Sequence, residues 1–178
     1  GMFIRQGSGV NIEQNELRSL RVINKQAGQQ SIIANNFILD GLIVQGDNIH
    51  IFFNTVVTYY ATYALSLTNA TNLKINNNIF ATLNIFPAVR SIDNTNVEMD
   101  YNCYVSGSGY IIAQQNDEDV FSAYVLSDWT TTTGNDQHSI FGYPQFFPRG
   151  ELPFPPLTDE NGFPLDDFVY ETDLHTDD

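Results

Sequence analysis

The feature that most restricts the fold of this chain is a seven-residue pattern that returns through its first 102 residues. Each copy holds a turn residue, an apolar residue, any residue, a second apolar residue, two variable residues and a closing Asn. The clearest copies are Asn48-Ile49-His50-Ile51-Phe52-Phe53-Asn54, Asn72-Leu73-Lys74-Ile75-Asn76-Asn77-Asn78 and Asn96-Val97-Glu98-Met99-Asp100-Tyr101-Asn102. Two weaker copies precede them, Gly9-Val10-Asn11-Ile12-Glu13-Gln14-Asn15 and Gln30-Ser31-Ile32-Ile33-Ala34-Asn35-Asn36. The closing Asn falls at 15, 36, 54, 78 and 102, at intervals of 21, 18, 24 and 24 residues.

Two further apolar runs lie between copies. One begins just after each closing Asn, as in Phe37-Ile38-Leu39, Thr55-Val56-Val57 and Ile79-Phe80-Ala81. The other comes later in each unit, as in Leu42-Ile43-Val44, Ala64-Leu65-Ser66-Leu67 and Ala88-Val89-Arg90-Ser91-Ile92. Three short strands per unit describe one coil of a parallel β-helix, with successive coils about 4.8 Å apart. Interval changes in multiples of three then mark insertions in turns. Strand alternation sends Leu73 and Ile75 inward and Lys74 outward. The closing residues Asn36, Asn54, Asn78 and Asn102 are expected to stack at one turn as a hydrogen-bonded amide ladder. A leucine-rich repeat has a similar period, but its leucine consensus is absent. A β-sandwich does not explain a repeat in register. The expected fold is all-β, a right-handed parallel β-helix with three short strands per coil and an irregular C-terminal segment. The coils are assigned to 1–147, and a Pro-rich, acidic, extended segment to 148–178.

Charge narrows the partners. The formal net charge is -14, with 7 Lys+Arg against 21 Asp+Glu. Such a chain has no basic footprint for nucleic acid or an anionic membrane surface. No apolar run reaches the roughly 20 residues of a membrane span, so no membrane insertion is expected. Cys103 is the sole cysteine, which excludes an internal disulfide and a thiolate zinc site. The N-terminal residues are no signal peptide, and Gly1 ahead of Met2 reads as an added residue.

The last rungs carry a resemblance. Asp100-Tyr101-Asn102-Cys103-Tyr104, Leu126-Ser127-Asp128-Trp129 and Gly134-Asn135-Asp136-Gln137-His138-Ser139-Ile140 are similar to closing segments of right-handed β-helix domains of the pectate-lyase-like superfamily. Tyr143-Pro144-Gln145-Phe146 and Asp173-Leu174-His175 resemble the later segments of those domains, with Tyr143 in place of the usual Asp. The resemblance implies a bacterial secreted or cell-surface protein, of which this chain is one part among further domains. About 25 residues separate Phe146 from Asp173, and the chain ends at Asp178 where such domains usually continue. Within these segments Ser127 is expected to cap a short helix and Trp129 to serve the core or the end cap.

Activity is less legible, because this fold carries lyases, hydrolases, adhesins and spacers. A lyase needs a base and a cation against a uronate carboxylate. The candidates are Lys74, Arg90 and His50, with His50, Lys74 and Glu98 sharing one outward position on successive coils. Glycosidases use carboxylate pairs, and Asp93, Glu98 and Asp100 are close in sequence without repeating between coils. Tyr59, Tyr60 and Tyr63 lie in one long turn, where they could stack on sugar rings. Thr158-Asp159-Glu160-Asn161-Gly162 and Asp166-Asp167 could collect a calcium ion, although their spacing is not that of an EF-hand loop. Asn69-Ala70-Thr71 is a glycosylation sequon. The expected function is a noncatalytic module that binds polysaccharide or another glycan, or is adhesive. The alternative is a lyase or glycosidase acting on acidic polysaccharide.

Overall fold

The computed structural model describes residues 1–5, 9–24, 28–59, 63–115 and 121–142. They wind into a nearly all-β solenoid of about four turns, with mostly parallel strands. Three ladders run along it. The first ladder holds Met2–Arg5, Leu20–Asn24, the start of Leu42–Phe52, the start of Leu65–Asn76, Val89–Ile92 and Ile112–Gln115. The second holds Asn11–Glu13, Ser31–Ala34, the ends of those two long strands, and Thr95–Asp100. The third holds Glu16–Leu17, Phe37–Ile38, Thr55–Thr58, Ile79–Thr82, Cys103–Ser106 and Ile140–Phe141.

Leu42–Phe52 and Leu65–Asn76 pass from the first ladder into the second without a break, where separate short strands were expected. Asn48, Asn69 and Asn72, all at positive φ, bend the chain, and the pairing shifts register between Val44 and Gly46, opposite Leu67 and Ala70, before it resumes. Asn adopts this region more readily than most residues. The Asp47 carboxylate accepts hydrogen bonds from Thr71 Oγ1 at 2.8 Å and Asn72 Nδ2 at 2.7 Å, tying the two bends together. Gly46, at φ +124°, is required here: a Cβ would fall 1.8 Å from the carbonyl oxygen of Asn24 on the coil below.

Inward residues stack by type. Ile12, Ile33, Ile51, Ile75 and Met99 are in register on the second ladder. Leu20, Leu42, Leu65, Val89 and Ile112 are in register on the first. Ile38, Val56, Phe80 and Tyr104 fill the third, and the rings of Phe80 and Tyr104 stack at 6.0 Å. All are buried. Each such side chain contributes roughly 1.5–3 kcal/mol by leaving water.

The corner between the second and third ladders is polar inside. Nδ2 of Asn15, Asn36, Asn54 and Asn78 donates to Oδ1 of the next closing Asn at 3.0, 2.9, 3.0 and 3.2 Å. The same Oδ1 atoms accept the backbone N–H of the residue below at 3.0–3.1 Å. Nδ2 of Asn36, Asn54, Asn78 and Asn102 also donates to the carbonyls of Ile12, Ile33, Ile51 and Ile75 at 2.8–2.9 Å. Buried amides are tolerable because these bonds satisfy them.

The final coil departs from the repeat. After Ile112–Gln115, Phe121–Tyr124 returns antiparallel beside it. Helix α1, Leu126–Thr133, comes next and ends at Gly134, whose left-handed φ of 74° lets its N–H reach the Thr130 carbonyl. Ser127 does not cap this helix. The N-cap is Val125, with no side-chain cap, and Ser127 lies inside the first turn, where its carbonyl accepts Thr131 Oγ1. Trp129 is buried against the end of the core. Ser139 takes the place of the next closing Asn, and its Oγ accepts the Asn102 N–H at 2.8 Å. Cys103 is buried, its thiol pushed up to about 11 by desolvation. Residues 143–178, with the 148–178 segment and the acidic candidate calcium ligands, lie outside the described residues.

Candidate functional site

His50, Lys74 and Glu98 are aligned in register on the outer face of the second ladder. Lys74 Nζ lies 3.2 Å from Glu98 Oε2, with side chains 51% and 61% exposed. Gln30 Nε2 lies against His50 Nδ1. Burial lowers the His50 pKa, and the Lys74 charge lowers it further, against a smaller pull from Glu98. An amide-paired imidazole beside an exposed lysine–glutamate ion pair on an open strand surface is a solvated polar row. A double-mutant cycle on Lys74→Ala and Glu98→Ala is expected to give a coupling of at most about 1 kcal/mol, shrinking as salt rises.

Arg90 is on the first ladder, away from that row. Its guanidinium carbon lies 5.9 Å from the Tyr63 ring centroid. Asp93 stands in a turn at φ +48°. Asp100 is committed to His138: Oδ2 faces Nδ1 at 2.8 Å and Oδ1 accepts the backbone N–H at 2.8 Å. Burial favours a raised Asp100 pKa, but the His138 bonds and the Tyr101 N–H outweigh it and hold the carboxyl low. The strands thus pair Lys74 with Glu98 on neighbouring coils, Arg90 with the Tyr63 ring and Asp100 with His138.

The tyrosine turn has more to offer. Tyr59 and Tyr63 are half-buried, with the Tyr59 hydroxyl enclosed, and Tyr60 lies outside the described residues. The Tyr63 ring packs on Phe86 at 5.9 Å, tilted by 57°. Phe86 belongs to the equivalent turn one coil further, and Tyr110 to the one after that, because Leu65, Val89 and Ile112 are in register. Ile85, Phe86 and Tyr110 are exposed at 78%, 40% and 42%. Their turns are braced from within. Asn84 Oδ1 accepts Thr82 Oγ1 and the Phe86 N–H, while Ser106 Oγ donates to the Phe86 carbonyl. Ser108 Oγ accepts the Tyr110 N–H. The corner between the third and first ladders therefore carries an aromatic strip over three successive coils.

No protein-family model matches the chain, and no curated protein or solved structure matches it either.

The sequence reading named Tyr59, Tyr60 and Tyr63 as sugar-stacking candidates and did not name Phe86 or Tyr110. The available signal was an aromatic residue two or three positions before Leu65, Val89 and Ile112, the first-ladder strand starts of three successive coils. A cavity of about 170 Å³ opens beneath α1, where the helix replaces a further second-ladder strand. Val97, Met99 and Trp129 line it with Ser91, Asn94 and Asn135. Its amides already serve the fold: Asn94 Oδ1 holds the Ala70 N–H, and Asn135 Oδ1 the Met99 N–H. Among the described residues no group of three or more His, Cys, Asp or Glu is placed to hold a metal ion. Asn69 of the sequon is exposed.

Proposed function

We propose that this chain is a noncatalytic β-helix module of a bacterial secreted or cell-surface protein, of the pectate-lyase-like type, that binds carbohydrate through its outer surface. The observation that carries the reading is the braced aromatic strip Tyr63–Phe86–Tyr110. Aromatic rings offer large, stiff apolar faces to the C–H faces of sugars. A strip that runs along the coils suits a linear polymer. The formal net charge of -14 for the chain selects against polyanions and favours a neutral glycan. The Lys74–Glu98 pair lies open to solvent and Arg90 belongs to a different ladder, an arrangement that speaks for binding without turnover.

The test uses the full chain with amorphous cellulose, xylan, galactomannan and polygalacturonate, each with calcium present, followed for retention and for new chain ends. Retention on a neutral polymer without cleavage is expected. Phe86→Ala combined with Tyr110→Ala should weaken it about tenfold. Cleavage that disappears in Lys74→Ala or Arg90→Ala would replace this reading with a lyase or glycosidase.

A further inference from the structure

The residue before each closing Asn forms a second row, on the corner between the second and third ladders. Gln14, Asn35, Phe53, Asn77 and Tyr101 all sit in the left-handed region, at φ 58°, 54°, 55°, 57° and 56°. His138 continues the row on the next coil, because Ile140 pairs with Cys103. Asn tolerates this backbone well, whereas a bulky aromatic there is strained. Phe53 and Tyr101 bear that strain while remaining 57% and 55% exposed, so core packing does not account for them. Backbone strain of this kind clusters at functional sites, which makes Phe53 and Tyr101 candidates for one.

The row is also pre-arranged. His138 stacks on one face of Tyr101 at 4.7 Å and 7°, and Asp100 fixes His138 through its ring and its backbone N–H. The opposite face of Tyr101 is left on the Asn77 side. Phe53 stands two coils below Tyr101, roughly 9.6 Å along the axis at 4.8 Å per coil. Exposed Asn77 lies between them with an amide that can both donate and accept. Gln14, Asn35 and Asn77 bring no charge to the row.

We infer that Phe53, Asn77 and Tyr101 form a notch that seats one unit of a neutral polysaccharide. The sugar stacks on the free face of Tyr101, Phe53 is the lower wall, and the Asn77 amide takes a hydroxyl. His138 and Asp100 act as positioning residues behind Tyr101. This site rests on the carbohydrate-binding reading above, but it lies on a different corner from the Tyr63–Phe86–Tyr110 strip.

Phe53→Asn in the full chain separates the possibilities, with Tyr101→Asn and Tyr101→Phe beside it and the same cellulose, xylan and galactomannan as probes. Phe53→Asn should melt at a higher temperature, because the strain is relieved, yet bind at least tenfold more weakly. Tyr101→Asn should also lose binding, and Tyr101→Phe should keep it. Unchanged binding in Phe53→Asn and Tyr101→Asn, with loss in Phe86→Ala plus Tyr110→Ala, overturns the notch and leaves the wider reading intact. A lower melting temperature for Phe53→Asn makes Phe53 a packing residue and also overturns the notch. No retention of the unaltered chain on any of the probes overturns both.

Discussion

Asp136→Ala should be the most damaging single substitution in the last described coil of the solenoid, at about 3–5 kcal/mol. Asp136 is 2% exposed. Its Oδ1 accepts Tyr104 Oη at 2.9 Å, Ser139 Oγ at 2.6 Å and Asn102 Nδ2 at 3.3 Å. Its Oδ2 accepts Trp129 Nε1 at 3.0 Å. The group joins the last rung of the Asn ladder, the third-ladder core and helix α1. Alanine would strand several donors in a dry site, where each lost partner costs about 1–3 kcal/mol with partial relaxation. Asp136→Asn keeps one oxygen but turns an N–H toward Trp129, and should cost about 1–2 kcal/mol. Chemical denaturation of the three proteins checks the order.

The same carboxyl gives a pH signature. Burial raises the Asp136 pKa, although its four donors pull the other way. For an acid with a raised folded pKa, the cost of holding the charge is present above that pKa. It is relieved as pH falls through the folded pKa toward the unfolded one. Asp47 and Asp100 act oppositely. Thr71 and Asn72 lower the first, and the bonds from His138 and Tyr101 lower the second against burial. Their stabilisation is present above the unfolded carboxylate pKa and is lost on further acidification. Melting temperature should therefore rise from neutral toward mildly acid pH and fall below about pH 4. Asp136→Asn should remove its share of the rise and leave the fall.

Asn78→Ala should cost about 2–4 kcal/mol. Its Oδ1 accepts both the backbone N–H and Nδ2 of Asn54, and its Nδ2 donates to the carbonyls of Ile51 and Asn76 and to Asn102 Oδ1. The Asn54 N–H and the Ile51 carbonyl lose these partners inside the wall, where water cannot replace them. Asn15→Ala is the control. Asn15 is only half-buried on the first rung, so water can stand in, and the cost should stay below about 1 kcal/mol. Equal costs for the two would mean that the ladder adds nothing beyond a turn preference.

Legibility in the sequence depends on repetition. The closing Asn recurs beside Ile51, Ile75 and Met99 because each coil needs one inward amide at one corner, and the bonds span the sequence intervals of 21, 18, 24 and 24 residues. The three strands per coil were legible for the same reason. The long strands were not, since the Asn bends that keep Leu42–Phe52 and Leu65–Asn76 paired look like ordinary turn signals. The cap was hardest. Asp136 sits in a Gly- and Asn-containing stretch that reads as a turn, and its partners Tyr104 and Trp129 belong to different elements with no shared period. The strain at Phe53 and Tyr101 is visible only once their backbone angles are known.

The spacing of these bonds also governs how the chain can assemble. Ladder contacts between neighbouring coils close over 18 to 27 residues, whereas the bonds from Tyr104 and Asn102 to the cap close over 32 and 37. Chain-closure entropy grows only slowly with length, so no coil is strongly favoured as the starting point. A nucleus formed by any two adjacent coils offers a template edge to the next, and growth proceeds outward one coil at a time. The Asp136 hub needs both the finished third-ladder core and α1, which makes it a late event. Its loss should then speed unfolding far more than it slows folding.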